Sequence, residues 1–408
     1  MAALSVTIRA VQSLAPGETI WDAGHRQAVR GFGVRRQHGL PVYVVKYRAF
    51  GRQRFFTIGP HGSPWTPEKA RKEAKRLLGL VADGKDPADE RTQAKLQATE
   101  TLRKIAEQYL KQAKQRLRPR TYYEIERYLL SVWKPLHSTP VFQIRRRHVA
   151  ARIAEVATGH GIVTAARARS ALSAMFNWAI REGLDIVANP VLGTNRPAGP
   201  RARERVLTDS ELAEVWKAVG DDDYGRIVKL LVLTGQRKSE VGSMRWTEVD
   251  FDRAVWTIPS TRSKNHREHV VPLTQAAIVL FPDRIESREY VFGHGPRREG
   301  DDHRGYSGWS KSKAALDERI QAARQKEAVA GEKAEPLPAW LLHDLRRTAA
   351  TSMADRLRVL PHIVEAVLNH VSGHRAGVAG VYNHARYEAE MRAALCAWAY
   401  HVKAVVGR

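Results

Sequence analysis

Apolar and polar positions alternate through PVYVVKYRAFGRQRFFTIG, residues 41–59, on either side of Gly51. This period of two predicts a pair of strands with Gly51 in the turn, and it sets Tyr43, Val45 and Tyr47 on one face. Arg48, Arg52 and Arg54 cluster at or near that turn. The period then changes. In TPEKARKEAKRLLGLVADGKDP, residues 66–87, Ala70, Ala74, Leu77 and Val81 recur at helical spacing. Thr66 suits the cap and Pro67 the first helical position, while Gly84 and Pro87 mark the stop. Residues 1–90 therefore read as a small sheet with a basic helix.

Residues 88–98, ADERTQAKLQA, are polar and read as a linker. From about 99 to 187 the pattern is helical throughout. TLRKIAEQYLKQA, RTYYEIERYLLSVW, RRRHVAARIAEVA and AARARSALSAMFNWAIREG are four successive candidates. ANPVLGTNRPAGPRARER, residues 188–205, is rich in Pro, Gly and Arg. It reads as a second linker whose Arg201, Arg203 and Arg205 could follow a phosphate backbone. The last unit spans 206–408. Thr208 and Glu211 have the spacing of a capping box, GRIVKLLVLTG and RKSEVGSMRW read as helices, and residues 254–274 as strands around a basic turn. Residues 328–340 read as a surface insertion. In the closing helix Met391, Leu395, Trp398, Val402 and Val405 form an apolar stripe, a seam buried within this chain or against a partner. No internal repeat is found. The fold class is thus multidomain and mainly α with small β-sheets: an α+β unit, an all-α unit, and a mixed α/β unit.

Charge narrows the function. The 408 residues hold 67 Lys and Arg against 43 Asp and Glu, a formal net charge of +24. The 43% hydrophobic content supports real cores, so the excess belongs to a folded surface rather than a disordered tail. Such a surface favours a polyanion, DNA or RNA before all others. The single cysteine, Cys396, allows no internal disulfide and suits a reducing cytoplasm. No run of ~20 apolar residues predicts a membrane span, and the opening residues lack a signal-peptide pattern.

Five short stretches carry candidate chemistry: TGQRKSE with Arg237, SKNHREHVVPL with Lys264 in a turn, HDLRRTAAT with His343 and Arg346, LNH with His370, and VYNHARYEAE with Tyr382. Singly, each reads as readily as an ordinary surface or capping residue. Together they suit attack on a phosphodiester by a phenol. Tyrosine, with a pKa of about 10, is a weak nucleophile that needs a base or a strongly positive surrounding. Two arginines can clamp nonbridging phosphate oxygens. A lysine can protonate the leaving 5′ oxygen, and histidines handle protons near neutrality.

In order and local sequence these stretches resemble the tyrosine recombinase family of the phage-integrase type. The likeness is specific over about residues 206–400, and residues 1–90 resemble the arm-binding domain of prophage and genomic-island integrases, with RQRFFTIGP followed by DGKDP. The resemblance implies an arm-binding domain at 1–90, a helical core-binding domain at 99–187 and a catalytic domain at 206–408. It implies that Arg237 and Arg346 bind the scissile phosphate, Lys264 is the general acid, and His343 is a base or hydrogen-bond partner. His370 then donates to the phosphate, with His374 a competitor for that role. Tyr382 forms a transient 3′-phosphotyrosyl bond. No metal or other cofactor is implied. The partners implied are double-stranded DNA at attachment sites, three further copies of the chain in a tetramer on DNA, and DNA-bending or excision accessory proteins. For DNA contacts the sequence offers Arg48, Arg52, Arg54, Arg201, Arg203 and Arg205.

Three other readings compete. His370 and His374 stand four apart, like paired zinc ligands, but no acidic residue lies between them and Gly373 weakens a helix there. A non-catalytic DNA-binding regulator fits the charge but not the full catalytic set. A type IB topoisomerase shares the tyrosine chemistry but not the arm-like first unit.

Overall fold

Alternation in the first hundred residues becomes a four-stranded antiparallel meander. In the computed structural model, which describes residues 5–199, 203–286, 288–293, 305–328, 333–370 and 385–407, a short helix α1 (Ile8–Gln12) precedes strands β1 (Thr19–Trp21), β2 (Phe32–Arg35), β3 (Val42–Ala49) and β4 (Arg52–Pro60), paired in that order. The β3–β4 turn places Phe50 (φ 44°) and Gly51 (φ 77°) both in the left-handed region. That is the two-residue turn whose twist matches the strands it joins. Tyr43, Val45 and Tyr47 are buried together, and helix α2 (Pro67–Ala82) lays Ala70, Ala74 and Leu77 on them. Thr66 caps α2 by accepting from the Lys69 amide.

Residues 88–98 are not a linker. Helix α3 (Pro87–Thr99) runs through them. Pro87, read as a stop, is the first residue of this next helix, and the Asp86 side chain caps it by accepting from the Ala88 amide. Asp86 also accepts from the Tyr47 hydroxyl, and Arg54 bridges Asp86 and Asp89 at 3.0 and 2.7 Å. The polar composition hid a helix that is anchored by its N-terminal turn rather than by an apolar face.

Four further helices follow as expected: α4 (Leu102–Arg116), α5 (Pro119–Arg127), α6 (Arg146–His160) and α7 (Ile162–Arg181). They enclose their own core around Trp133, whose indole N–H donates to the Ala168 carbonyl at 3.0 Å. The segment after α7 is pinned, not free. Asn189 donates to Ser173 and Asn177 and accepts from the Val191 amide, while Arg169 holds Thr194 and Val191.

The chain divides into two compact units, Met1–Arg201 and Ala202–Arg408. The second contains α8 (Asp209–Ala218), α9 (Asp223–Thr234) and the short α10 (Lys238–Gly242). A three-stranded antiparallel sheet follows, β5 (Val249–Asp250), β6 (Val255–Ile258) and β7 (His269–Pro272). The remaining helices are α11 (Gln275–Ile278), α12 (Trp309–Glu327), α13 (Leu342–Asp355), α14 (Pro361–Val367) and α15 (Glu388–Val406). Thr208 and Glu211 form the predicted capping box on α8. The stripe on α15 is covered within its own unit: Met391, Leu395, Trp398 and Val402 join the core, and Trp398 donates to the Val232 carbonyl at 2.7 Å. Of the two covers the spacing allowed, this chain or a partner, the structure shows the first. No helix among the described residues is long and apolar enough to cross a membrane.

One buried ion pair in the first unit joins α2 to the residue that follows β1. Arg71 of α2 donates to Asp22 at 2.8 and 3.0 Å and to the Val6 carbonyl at 3.0 Å, with both partners about 5% exposed. Burial pushes the Asp22 carboxyl up, but hydrogen bonds from Arg71, Val6 and Val29 outweigh it and hold the group below its usual 3.8. A carboxylate depressed in the folded state stabilises above its unfolded pKa and loses that contribution as pH falls through its folded value. We predict that Arg71→Met, which leaves a buried carboxylate unpaired, destabilises this unit by about 3–5 kcal/mol. We predict also that Asp22→Asn flattens its loss of stability below about pH 4. Denaturant melts of the full chain against pH measure both, and an unchanged first transition in Arg71→Met would remove the pair from its assigned role.

Candidate active site

Helix α14 ends in a way that determines what gathers around it. Asn369 takes φ 50°, the His370 amide donates to the Glu365 carbonyl at 2.9 Å, and the Asn369 amide donates to Ala366 at 3.0 Å. This double closure through a left-handed residue is a Schellman end, a place for Gly or Asn. It explains LNH: asparagine tolerates the backbone that a glycine would otherwise supply. The turn leaves the carbonyls of Val367, Leu368 and Asn369 open to acceptance from elsewhere.

Donors arrive from three distant segments. Gln236 donates to Val367 at 2.7 Å, and His269 of β7 contacts the same oxygen at 3.1 Å. Arg346, on α13, donates to Leu368 and, at 2.8 Å, to the Gly235 carbonyl that ends α9. Asn265, in the β6–β7 connection, donates to Asn369 at 3.0 Å. Gly235 has no alternative here: its φ is +64° and an added Cβ would lie 3.1 Å from Leu368 Cδ2.

Arg346 is only 4% exposed, and among the described residues its hydrogen-bond partners are helix-end carbonyls rather than a carboxylate. Those ends carry partial negative charge, which favours a cation there. Burial first, then repulsion from Arg237, pulls its pKa down to about 9, so it remains a cation at neutral pH. Arg237 stands at the start of α10, clamped by Glu240, which accepts from its amide at 3.1 Å and from its guanidinium at 2.9 Å. The two cations thus lie on adjoining ends of α9, α10, α13 and α14, an arrangement suited to an anion with several oxygens.

Lys264 lies exposed in the connection between β6 and β7. Its neighbour Arg262 is occupied, donating to both Glu248 oxygens at 2.8 and 2.7 Å and to the Glu240 carbonyl at 3.3 Å. That bond ties the hairpin to the helix bearing Arg237. His343 and His370 bear on the same spot. Desolvation of each ring first, then the cations Arg346 and Arg237, lower both pKa values below 6.5; Arg347 adds to this at His343, and Asp344 and Glu365 partly oppose it. Both imidazoles are therefore mainly neutral at pH 7.

The structure thus brings together Arg237, His343, Arg346 and His370, with Lys264 on the hairpin that reaches the end of α14. Tyr382, His374 and Arg201 lie outside the described residues. Arg203 donates to the Ala339 carbonyl at 2.9 Å and to Asp344 at 3.4 Å, beside His343. Arg205 binds Glu211. With Arg54, three of the arginines proposed for DNA contact thus hold carboxylates of their own chain, whereas Arg48 and Arg52 are exposed at the β3–β4 turn. Sequence reasoning missed Gln236, Glu240, Glu248, Asn265 and Asn369. Glu240, three residues after Arg237, and Glu248, three after Arg245, carried a local signal, the capping-box spacing.

This geometry and this fold have relatives. Residues 206–389 match the phage integrase family, 6–94 an arm DNA-binding domain and 102–191 the phage integrase central domain. The chain belongs to the phage integrase family. IntB of Escherichia coli (strain K12) is 23% identical over 383 residues, 88% of this chain and 91% of that one. Prophage integrase IntZ of the same strain is 25% identical over 349 residues, 80% of this chain and 78% of that one. Among solved structures, a lambda integrase tetramer bound to a Holliday junction superposes with a TM-score of 0.52 at 19% identity, covering 82% of this chain and 95% of that one. The last likeness is one of fold.

Because desolvation first, and then the cations Arg346 and Arg237, disfavour a proton on both rings, we predict that His343 and His370 titrate below 6.5 in the free protein. Arg237→Gln should shift both upward. Histidine-selective NMR titration of wild type and variant measures this, and two rings that ignore the loss of Arg237 would separate it from the site.

Proposed function

We propose that this protein is a site-specific DNA recombinase that cuts and rejoins strands through a 3′-phosphotyrosyl intermediate, inserting and removing a mobile element. The observation that carries the reading is the pair Arg237 and Arg346, set with two neutral histidines where α9, α10, α13 and α14 adjoin. In the proposed step the Tyr382 phenol oxygen bonds to phosphorus while His343 accepts its proton. The bond from phosphorus to the 5′ oxygen breaks, and Lys264 supplies that oxygen with a proton. Arg237, Arg346 and His370 hold the nonbridging oxygens as negative charge grows there. The number of phosphoester bonds is unchanged, so rejoining to a new 5′ hydroxyl is the same step reversed and needs no ATP.

We assign 1–90 to arm-type DNA, 99–187 to the core site and 206–408 to catalysis, in line with the family matches at 6–94, 102–191 and 206–389. Arg48 and Arg52 are proposed to meet arm DNA directly. Arg54, Arg203 and Arg205 contribute to the positive field while bonding within the chain, and Arg201 extends that field. The lambda relative is a tetramer on a Holliday junction, which supports four copies acting on two duplexes; accessory proteins that bias direction and a bacterial cytoplasm are further parts of the proposal. No metal or other cofactor enters the proposed step.

Two outcomes are expected. Mixed with supercoiled plasmid carrying the DNA that flanks its gene, in EDTA, the wild type yields protein-linked DNA after denaturation and Tyr382→Phe yields none. An adduct surviving in Tyr382→Phe sinks the nucleophile assignment, and cleavage that appears only with Mg²⁺ returns the case to a nuclease. DNA affinity should fall steeply with salt, as phosphate contacts require; a binding constant flat from low to moderate salt would speak against the basic surface as the contact.

A further inference from the structure

Lys264 is a long, flexible side chain on an exposed connection, yet a general acid must stand within hydrogen-bond reach of one oxygen. What holds it is found on either side. Ser263 and Asn265 flank it, and the Ser263 hydroxyl donates to Asn265 Oδ1 at 2.6 Å, joining the two across the lysine. Both are bound to Asn369. Its amide nitrogen donates to Ser263 Oγ at 3.1 Å and Asn265 Oδ1 at 3.4 Å, and Asn265 Nδ2 returns to Asn369 Oδ1 at 2.9 Å and to its carbonyl at 3.0 Å. Ser263 is fully buried and Asn369 is 3% exposed. The ring of three side chains therefore lies beneath the hairpin, with Lys264 on the solvent side. The residue after Asn369 is His370.

We infer that Asn369, with Ser263 and Asn265, positions Lys264 for proton delivery by locking its turn to the end of α14 that carries His370. Asn369 has two separable duties. Its backbone must be left-handed, which Gly does as well. Its side chain closes the ring, which Gly cannot do. Asparagine meets both demands, and the amide then ties the acid-bearing turn to the phosphate-binding end of the site. The inference rests on the reading of Lys264 as the general acid.

The test uses the full-length protein and two duplexes from the DNA flanking its gene, one normal and one with sulfur in place of the 5′ bridging oxygen at the cut. A thiol, with a pKa of about 8.5, leaves as the thiolate without a proton, so the sulfur duplex bypasses the acid. Asn369→Gly preserves the turn and should cleave the oxygen duplex about 10- to 100-fold more slowly, the scale of a small misplacement. On the sulfur duplex it should regain the wild-type rate. Asn265→Ala, which breaks the ring from the hairpin side, should show the same split, and Lys264→Ala the same split more severely. Equal slowing on both duplexes in Asn369→Gly, or no slowing on either, would overturn the positioning role. If Lys264→Ala stays slow on sulfur, Lys264 is not the acid, and the inference falls with that assignment whatever the asparagine variants do.

Discussion

Three carbonyl oxygens at the end of α14 organise the catalytic unit. A helix cannot satisfy its own last carbonyls, and here Val367, Leu368 and Asn369 accept from Gln236, His269, Arg346 and Asn265. Each donor is itself a site residue or lies near one in sequence: Gln236 precedes Arg237, Asn265 follows Lys264, and His370 follows the last carbonyl. Buried polar groups left unpaired are costly, so the fold and the site are stabilised by the same bonds. A segment that slips loses both its hydrogen bond and its catalytic neighbour.

The second consequence is electrostatic. Among the described residues, Arg346 is buried without a carboxylate hydrogen-bonded to it, held by the ends of α9 and α14. Carboxylate pairing is used next door instead, where Glu240 clamps Arg237 and Glu248 clamps Arg262. Arg237 is thus hydrogen-bonded to a full counter-charge, whereas the hydrogen bonds that hold Arg346 run to helix-end carbonyls. Desolvation, reinforced by the positive charge of Arg346 and Arg237, lowers both histidines, and that same charge favours an incoming phosphate.

Much of this was legible beforehand where the cause was local. The alternation that buries Tyr43, Val45 and Tyr47 and the Thr208–Glu211 box depend on residues close in sequence, and both appear in the structure. The candidate chemistry was readable because arginine, lysine, histidine and tyrosine declare their reactivity by type. What escaped depends on distance. Asn265 and Asn369 meet across 104 positions, and nothing near either one announces the other. Helix α3 escaped because its anchor is the contact of Asp86 and Asp89 with Tyr47 on β3 and Arg54 on β4, more than thirty positions away. Arg54, Arg203 and Arg205 looked like free positive charge because their acidic partners are visible only after folding. The α15 stripe was correctly read as buried, but spacing alone could not say which surface covers it.

If the end of α14 is the shared anchor, donors that reach it from different segments must be coupled in catalysis. A double-mutant cycle on single-turnover strand cleavage, with Gln236→Ala, Asn265→Ala and the pair, measures that coupling. The account predicts an interaction energy above about 0.5 kcal/mol, because each change loosens the same helix end. Effects that simply add would mean that the two segments are held independently, and would contradict a common anchor.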